Sequence, residues 1–313
     1  LSKGKIQAIV LAVMFFQQFY TIKDLRAWSR KEPSLGVVGF PVKHSASPPM
    51  QNAALEQFAE FKDWRYFRFE IEDKDLKEAL RIFGEKNFIG LNLTVPHKVM
   101  AYHMIDQRDE SSETVQAANT LLFDWPGSGS LPEGYSTDGY GLLKGLETDL
   151  SFDPQGKTVL LLGAGGAGQT AAITLEKQGA EVLWHNRTPQ KVAALIPGLG
   201  LENTYMVNPG QIAWEQIDLV VNSTSAGLGE KPVSPLDFGT VSGHKESLCA
   251  YDMLYGKDKT AFISGAESLG IHAAGGLSML LHQGAKAFEI WTKKQAPLEV
   301  MGEALKKAIY GIK

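Results

Sequence analysis

Thr158-Val159-Leu160-Leu161-Leu162-Gly163-Ala164-Gly165-Gly166-Ala167-Gly168 is the stretch on which the reading of this chain turns. A short β-branched and apolar run precedes a G-x-G-x-x-G pattern, and the amphipathic stretch Gln169–Gln178 follows it. That order predicts a strand, a tight loop and a helix. Gly163 permits the turn, and Gly165 lets a pyrophosphate reach backbone N–H groups at the positive end of the helix. Gly168 lets the helix pack close to the strand. Gly163, Ala164, Gly165, Gly166, Ala167 and Gly168 are therefore candidate ligands for the phosphates of a nicotinamide dinucleotide.

The next predicted strand, Glu181–His185, carries no carboxylate at its end, where a fold selective for NAD places an acid to accept from the ribose 2′-OH. Asn186-Arg187-Thr188 stands there instead. Arg187 has the planar fork for a 2′-phosphate and Lys191 adds a second positive charge, so the spacing predicts NADP(H).

Outward from this unit, apolar runs alternate with amphipathic ones. Leu35–Phe40, Trp64–Ile71 and Ile89–Thr94 read as strands, with helices at Pro48–Phe61 and Lys74–Lys86 between them. Asp124–Gly134 reads as a turn between two strands. Later come strands at Leu219–Asn222 and Ser247–Met253 and helices at Leu277–Thr292 and Pro297–Tyr310. The pattern predicts two α/β lobes.

Composition narrows the function. A net charge of −4 over 313 residues gives no basic field for nucleic acid or an anionic membrane. The apolar run Ala8–Phe16 is too short to span a bilayer and lacks a small-residue cleavage site, so it reads as an N-terminal helix or extension. Cys249, the single cysteine, excludes an internal disulfide and points to a reducing, cytoplasmic setting. His44, His97, His103 and His282 lack metal-ligand spacing, and no metal is expected.

Four polar clusters fall where strands end, which is where open α/β sheets take ligands. They are His44-Ser45-Ala46-Ser47-Pro48, Asn92-Leu93-Thr94-Val95-Pro96-His97-Lys98, Ala118-Asn119-Thr120 and Ser136-Thr137-Asp138-Gly139. Each alone has a plain reading as turn or cap chemistry; Ser47, for one, suits a helix N-cap.

In this order and spacing, from Leu35 to Thr292, the clusters resemble the shikimate dehydrogenase family. The glycine loop, Asn186-Arg187-Thr188, Asn222-Ser223-Thr224-Ser225-Ala226-Gly227, Tyr251-Asp252-Met253-Leu254-Tyr255 and Met279–Trp291 extend the likeness. The resemblance implies a two-domain α/β fold. Residues 34–138 would form a substrate-binding domain with a central, mainly parallel sheet, and 139–276 a Rossmann-like NADP-binding domain. Residues 277–313 would be helices returning to the first domain, and 1–33 an extension. It also implies reversible, NADPH-dependent reduction of 3-dehydroshikimate to shikimate in aromatic amino-acid biosynthesis, by a monomer or homodimer with a small-molecule substrate.

By motif, the resemblance assigns Ser45, Ser47 and Tyr255 to the substrate carboxylate, and Thr94, Asn119, Asp138 and Gln283 to the ring hydroxyls. Gly163–Gly168, Asn186, Arg187, Thr188 and Lys191 fall to the adenosine and phosphate end of NADP. Thr224, Met253 and Gly276 fall to its ribose and nicotinamide. Ketone reduction needs a proton for the developing alkoxide, and Lys98 is the candidate donor, coupled to Asp138. Burial would lower the lysine pKa and the aspartate would raise it. Three features depart from the family pattern: Gln51 stands where His is usual, Ser136 where Asn is usual, and an N-terminal extension of about 30 residues is itself unusual. The alternatives are a quinate/shikimate dehydrogenase with relaxed choice and a non-catalytic NADP-binding redox sensor. Ser47, Arg187 and the presence of both Lys98 and Asp138 speak against these.

Overall fold

The computed structural model describes residues 19–43, 45–123, 127–227 and 233–311. Two compact units divide the chain, one drawn from Leu1–Thr137 and Gly284–Lys313, the other Asp138–Gln283.

The first unit runs β1 (Tyr20–Thr21), α1 (Ile22–Arg26), β2 (Ser34–Gly39), α2 (Ser47–Leu55), β3 (Arg65–Glu70), α3 (Leu76–Glu85) and β4 (Phe88–Leu93). It continues with α4 (His97–Met104), β5 (Gln107–Arg108), α5 (Glu110–Val115), β6 (Thr120–Leu122) and β7 (Glu133–Tyr135). Its seven-stranded sheet has the order β1-β3-β2-β4-β6-β7-β5. All neighbours are parallel except β6, which runs antiparallel to both β4 and β7 because a hairpin joins it to β7. The apolar stripe Leu76, Ala79, Leu80 and Phe83 fixes α3 on the sheet at helical spacing. There Phe83 meets Phe69 and Phe88 edge to face, with centroids 5.0 and 4.7 Å apart.

Part of the stretch read as an extension is built into this sheet. Tyr20 pairs with Phe69 at the sheet edge. Thr21 and Asp24 cap α1 reciprocally, and Leu25 is fully buried. The apolar run Ala8–Phe16 lies outside the described residues. The helix expected over Pro48–Phe61 stops at Leu55, because Phe58 is extended and a short 3₁₀ turn, Ala59–Phe61, follows.

The second unit runs α6 (Asp138–Leu150), β8 (Thr158–Leu162), α7 (Gly166–Lys177), β9 (Glu181–His185), α8 (Pro189–Gly198), β10 (Thr204–Met206) and β11 (Leu219–Asn222). Then come β12 (Cys249–Asp252), α9 (Ala261–Ser268), β13 (His272–Gly275) and α10 (Leu277–Thr292). Its six strands are all parallel in the order β10-β9-β8-β11-β12-β13. This is the doubly wound order, whose ligand crevice opens where β8 and β11 lie side by side. The unit boundary falls within α10, at Gln283/Gly284. The remainder of α10 belongs to the first unit, where Trp291 Nε1 donates to the Leu121 carbonyl at 2.9 Å. The last helix, α11 (Leu298–Tyr310), packs on α2.

Candidate active site

In the first unit the loop from β2 to α2 carries Ser45 and Ser47, and β3 braces it. Side chains alternate along a strand, so Tyr66, Arg68 and Glu70 share one face. Glu70 Oε2 accepts from the Val42 N–H at 3.1 Å. Arg68 donates from Nε and Nη2 to the Ser45 carbonyl at 3.1 and 2.6 Å. The Ser47 side chain is near enough to the Tyr66 phenol to lower its pKa. Ser47 is the first helical residue and not the N-cap; Ala46 holds that position without a side-chain bond. The Ser47 N–H instead donates to Ser45 Oγ at 3.3 Å, which draws the two serines together.

From Tyr66 a buried polar chain crosses the unit. The Tyr66 hydroxyl donates to Asn92 Oδ1 at 2.8 Å, and Asn92 Nδ2 donates to the Asn119 carbonyl and to Thr120 Oγ1. Asn119 Oδ1 accepts from the Thr137 N–H at 2.7 Å, and its Nδ2 donates to Thr137 Oγ1 at 3.0 Å. Burial pushes the Tyr66 phenol well above its ordinary range, against the opposing pull of the Arg68 charge and the Ser47 bond, so it stays a neutral donor.

Lys98 is the second residue of α4. The helix start is held by the His97 N–H, which donates to the Thr94 carbonyl at 2.9 Å, and by the buried His97 ring, whose Nε2 lies 2.8 Å from the Ile71 carbonyl. Burial lowers the His97 pKa, with the Ile71 bond and Asp73 opposing, so the ring is neutral and donates from Nε2. The Lys98 carbonyl accepts from the Ala118 N–H at 3.0 Å. The first unit thus brings together Ser45 with Ser47, and Thr94 and Lys98 with the segment Ala118-Asn119 that leads into β6.

In the second unit Asp138 opens α6 and is 9% exposed. The sequence reading had no helix here. Gln283, also buried, lies on α10, and a Cβ at Gly141 would sit 2.8 Å from the Gln283 Cβ and 2.7 Å from the Met279 carbonyl oxygen. The two helices therefore approach backbone to backbone, with Asp138 one turn from the contact. Tyr255 is half-buried beyond β12.

The glycine loop is shorter than expected, since α7 begins at Gly166 and not at Gln169. Gly163 adopts φ +103°, and a Cβ at Gly168 would lie 2.3 Å from the Gly163 carbonyl oxygen. No side chain caps α7 at Gly165, and a Cβ on Gly165 or Gly166 would meet nothing within 4 Å. Open backbone N–H groups at a helix start, with room above them, fit a pyrophosphate. Arg187, Thr188 and Lys191 are exposed at the end of β9 and start of α8, and Arg187 and Lys191 make no ion pair among the described residues. The Asn186 amide donates to the Thr188 carbonyl at 3.0 Å, shaping this turn. The chain's residues fit NADP(H).

On the other side of the crevice Asn222 and Asp252 pair in register across β11 and β12, both fully buried, with Asn222 Nδ2 donating to Asp252 Oδ1 at 2.9 Å. Asn222 Oδ1 accepts from the Thr224 N–H and hydroxyl, while Asp252 accepts from the Leu254 N–H and the Thr260 hydroxyl. Burial raises the Asp252 pKa and these bonds lower it. The Met253 N–H donates to the Asn222 carbonyl and the Gly276 N–H to the Leu254 carbonyl, so Thr224, Met253 and Gly276 are set by one buried pair.

Sequence reasoning missed Tyr66, Arg68, Glu70 and the structural part of Asn222 and Asp252. The alternation Tyr66-Phe67-Arg68-Phe69-Glu70 was the available signal for the first three. Both residue departures from the family pattern are buried. Gln51 Nε2 donates to the Gly284 carbonyl at 2.8 Å, and the Ser136 N–H donates to Ser111 Oγ at 2.9 Å. Gln51 Oε1 and Ser136 Oγ have no hydrogen-bond partner among the described residues. Among those residues no group of three His, Cys, Asp or Glu could hold a metal, and no helix is long and apolar enough to cross a membrane.

A doubly wound sheet with an uncapped glycine loop in one unit, and buried polar groups in a second α/β unit, define the class: a two-unit dinucleotide-binding protein. Residues 37–121 match the shikimate dehydrogenase substrate binding domain, 147–229 shikimate / quinate 5-dehydrogenase, and 276–306 the shikimate 5'-dehydrogenase C-terminal domain. Shikimate dehydrogenase (NADP(+)) of Citrifermentans bemidjiense is 37% identical over 279 residues, 86% of this chain and 93% of that protein. The shikimate dehydrogenase structure from Aquifex aeolicus superimposes with a TM-score of 0.79 at 31% identity, covering 89% of this chain and 99% of that one. Shikimate 5-dehydrogenase from Thermus thermophilus, solved with NADP(H) and shikimate, gives 0.77 at 33% identity over 88% and 99%. The chain belongs to the shikimate dehydrogenase family.

Proposed function

We propose that this chain reduces 3-dehydroshikimate reversibly to shikimate with NADPH, in the cytoplasm, on the route to aromatic amino acids. The observation that carries the reading is the likeness, over 88% of the chain, to a shikimate dehydrogenase solved with NADP(H) and shikimate. The local geometry supports it: open N–H groups follow β8, and a lysine follows β4, tied to the residue before a buried asparagine.

NADPH, when bound, supplies the hydride. Gly163–Gly168 hold its pyrophosphate and Arg187 with Lys191 its 2′-phosphate. Ser45, Ser47 and Tyr255 hold the substrate carboxylate, while Thr94, Asn119 and Gln283 orient the ring. The Lys98 ammonium stabilises the developing alkoxide and passes it a proton. Asp138 acts with Lys98 as one coupled unit. Thr137, the residue before it, is locked to Asn119.

The test is the loss of NADPH absorbance with 3-dehydroshikimate. Turnover is expected, with NADH at least about tenfold less effective and, in reverse, shikimate preferred to quinate. NADPH binding without turnover would overturn the catalytic reading.

A further inference from the structure

We infer that Arg68 is a specificity-determining residue whose buried charge makes the Ser45–Ser47 pair select a carboxylate over a neutral group of the same shape. This rests on the proposed function, which places the substrate carboxylate at those serines.

Arg68 is 8% exposed. A guanidinium keeps its proton at any working pH, so this is a permanent charge inside the protein. Its fork lies directly against the serine loop, with Nε and Nη2 both on the Ser45 carbonyl. Its field also reaches the Tyr66 phenol, whose pKa Ser47 lowers as well. The charge therefore stands against the backbone of the loop that carries both hydroxyls. Arg65, the other arginine of β3, is exposed and bonds the Lys62 and Trp64 carbonyls, so it does not share this role. Glu70, on the same face, bonds the Val42 N–H farther back along the loop.

The chemistry of the pair explains why a charge is needed. Two serine hydroxyls and a tyrosine hydroxyl are neutral, and they can donate to an ester or an amide as well as to a carboxylate, whose charge-assisted bonds are stronger but carry no countercharge of their own. Discrimination needs an element that rewards negative charge, and a fixed cation screened from water is one. A loop brace alone would require only a donor, which a neutral amide supplies.

The experiment compares 3-dehydroshikimate with its methyl ester in the full chain, reading kcat and KM for wild type, Arg68→Gln and Arg68→Lys. Arg68→Gln is expected to raise KM for the acid about 10- to 100-fold while KM for the ester moves less than about threefold, so the acid/ester preference collapses. Arg68→Lys keeps the charge and loses the fork, and is expected to keep most of the preference. NADPH affinity, read by fluorescence titration, should be unchanged in both and serves as the folding control. If Arg68→Gln fails to fold, Arg68→Lys decides. Near wild-type KM values for acid and ester in that variant support the charge role, and equal rises for both overturn it in favour of a brace. An active wild type with an unaffected Arg68→Gln overturns this inference alone. A wild type that binds NADPH without reducing either compound overturns the proposed function and this inference with it.

Discussion

Arg68 in the first unit and Gly168 in the second hold loops that follow parallel strands, and they do so by opposite means. The loop after β2 is pinned from below by long polar side chains: Tyr66, Arg68 and Glu70 reach up from β3 to Ser47, Ser45 and Val42. The loop after β8 is shaped by side chains that are missing, since a Cβ at Gly168 would collide with the Gly163 carbonyl. One loop presents hydroxyls and a charge; the other presents bare N–H groups. Side-chain bracing lets a loop recognise a particular ligand, whereas a backbone cradle recognises any phosphate of the right reach.

Four changes would break or sharpen this contrast. The largest effect is expected for Lys98→Ala, which should lower kcat about a thousandfold and leave NADPH affinity within about twofold, checked by steady-state kinetics beside a binding titration. Near-normal turnover would remove Lys98 from the chemistry. Gly168→Ala should do the reverse. Overpacking of α7 against the Gly163 carbonyl costs about 1–3 kcal/mol, so NADPH binding weakens about tenfold or more while kcat at saturating NADPH changes less.

Tyr66→Phe tests the braced loop more gently. It leaves Asn92 Oδ1 without its buried donor, a cost of about 1–3 kcal/mol. The melting temperature should fall and the substrate KM rise severalfold, with NADPH affinity unchanged; a KM equal to wild type would show that the polar chain does not position Ser47.

The smallest effect is a pH dependence of stability. His97 is buried and neutral, with its pKa below the ordinary value. The unfolded chain takes up a proton near pH 6.5, which the folded ring resists. The stability linked to this histidine is present above about pH 6.5 and is lost as pH falls toward the lowered folded pKa. His282, lowered mainly by burial, acts in the same direction, while the raised Asp149 and Asp252 act in the other. The difference in Tm between wild type and His97→Asn isolates the histidine, and it should narrow by a few degrees as pH falls from about 8 to about 5.5.

Much of the second unit was legible because its determinants are local. Strand, glycine run and helix stand within about twenty residues, and β8, β9 and β11 fall where the apolar runs place them. The error was at the loop's end: glycines suggested a loop through Gly168, yet the helix already starts at Gly166. Glycine is a poor helix former, but at a helix start its missing side chain costs little and leaves the N–H groups open. The polar clusters of the first unit were visible as clusters, and the family likeness attached roles to them. Their supports were not visible, because Tyr66, Arg68 and Asn92 act on residues 19, 23 and 27 positions away.

By itself, the sequence determined the glycine loop, the missing acid and present Arg187 after β9, the parallel α/β class, and the order of motifs that marks the family. All of these depend on residues close in the chain or on a pattern along it. Tertiary structure alone decided that Ser47 is not a cap, that Tyr66 is linked to Asn92 and onward to Asn119 and Thr137, and that a permanent charge is buried beneath Ser45. Those are facts of strand register and burial. A side chain's partner across a sheet is set by which strands the fold makes neighbours, and no local pattern records that choice.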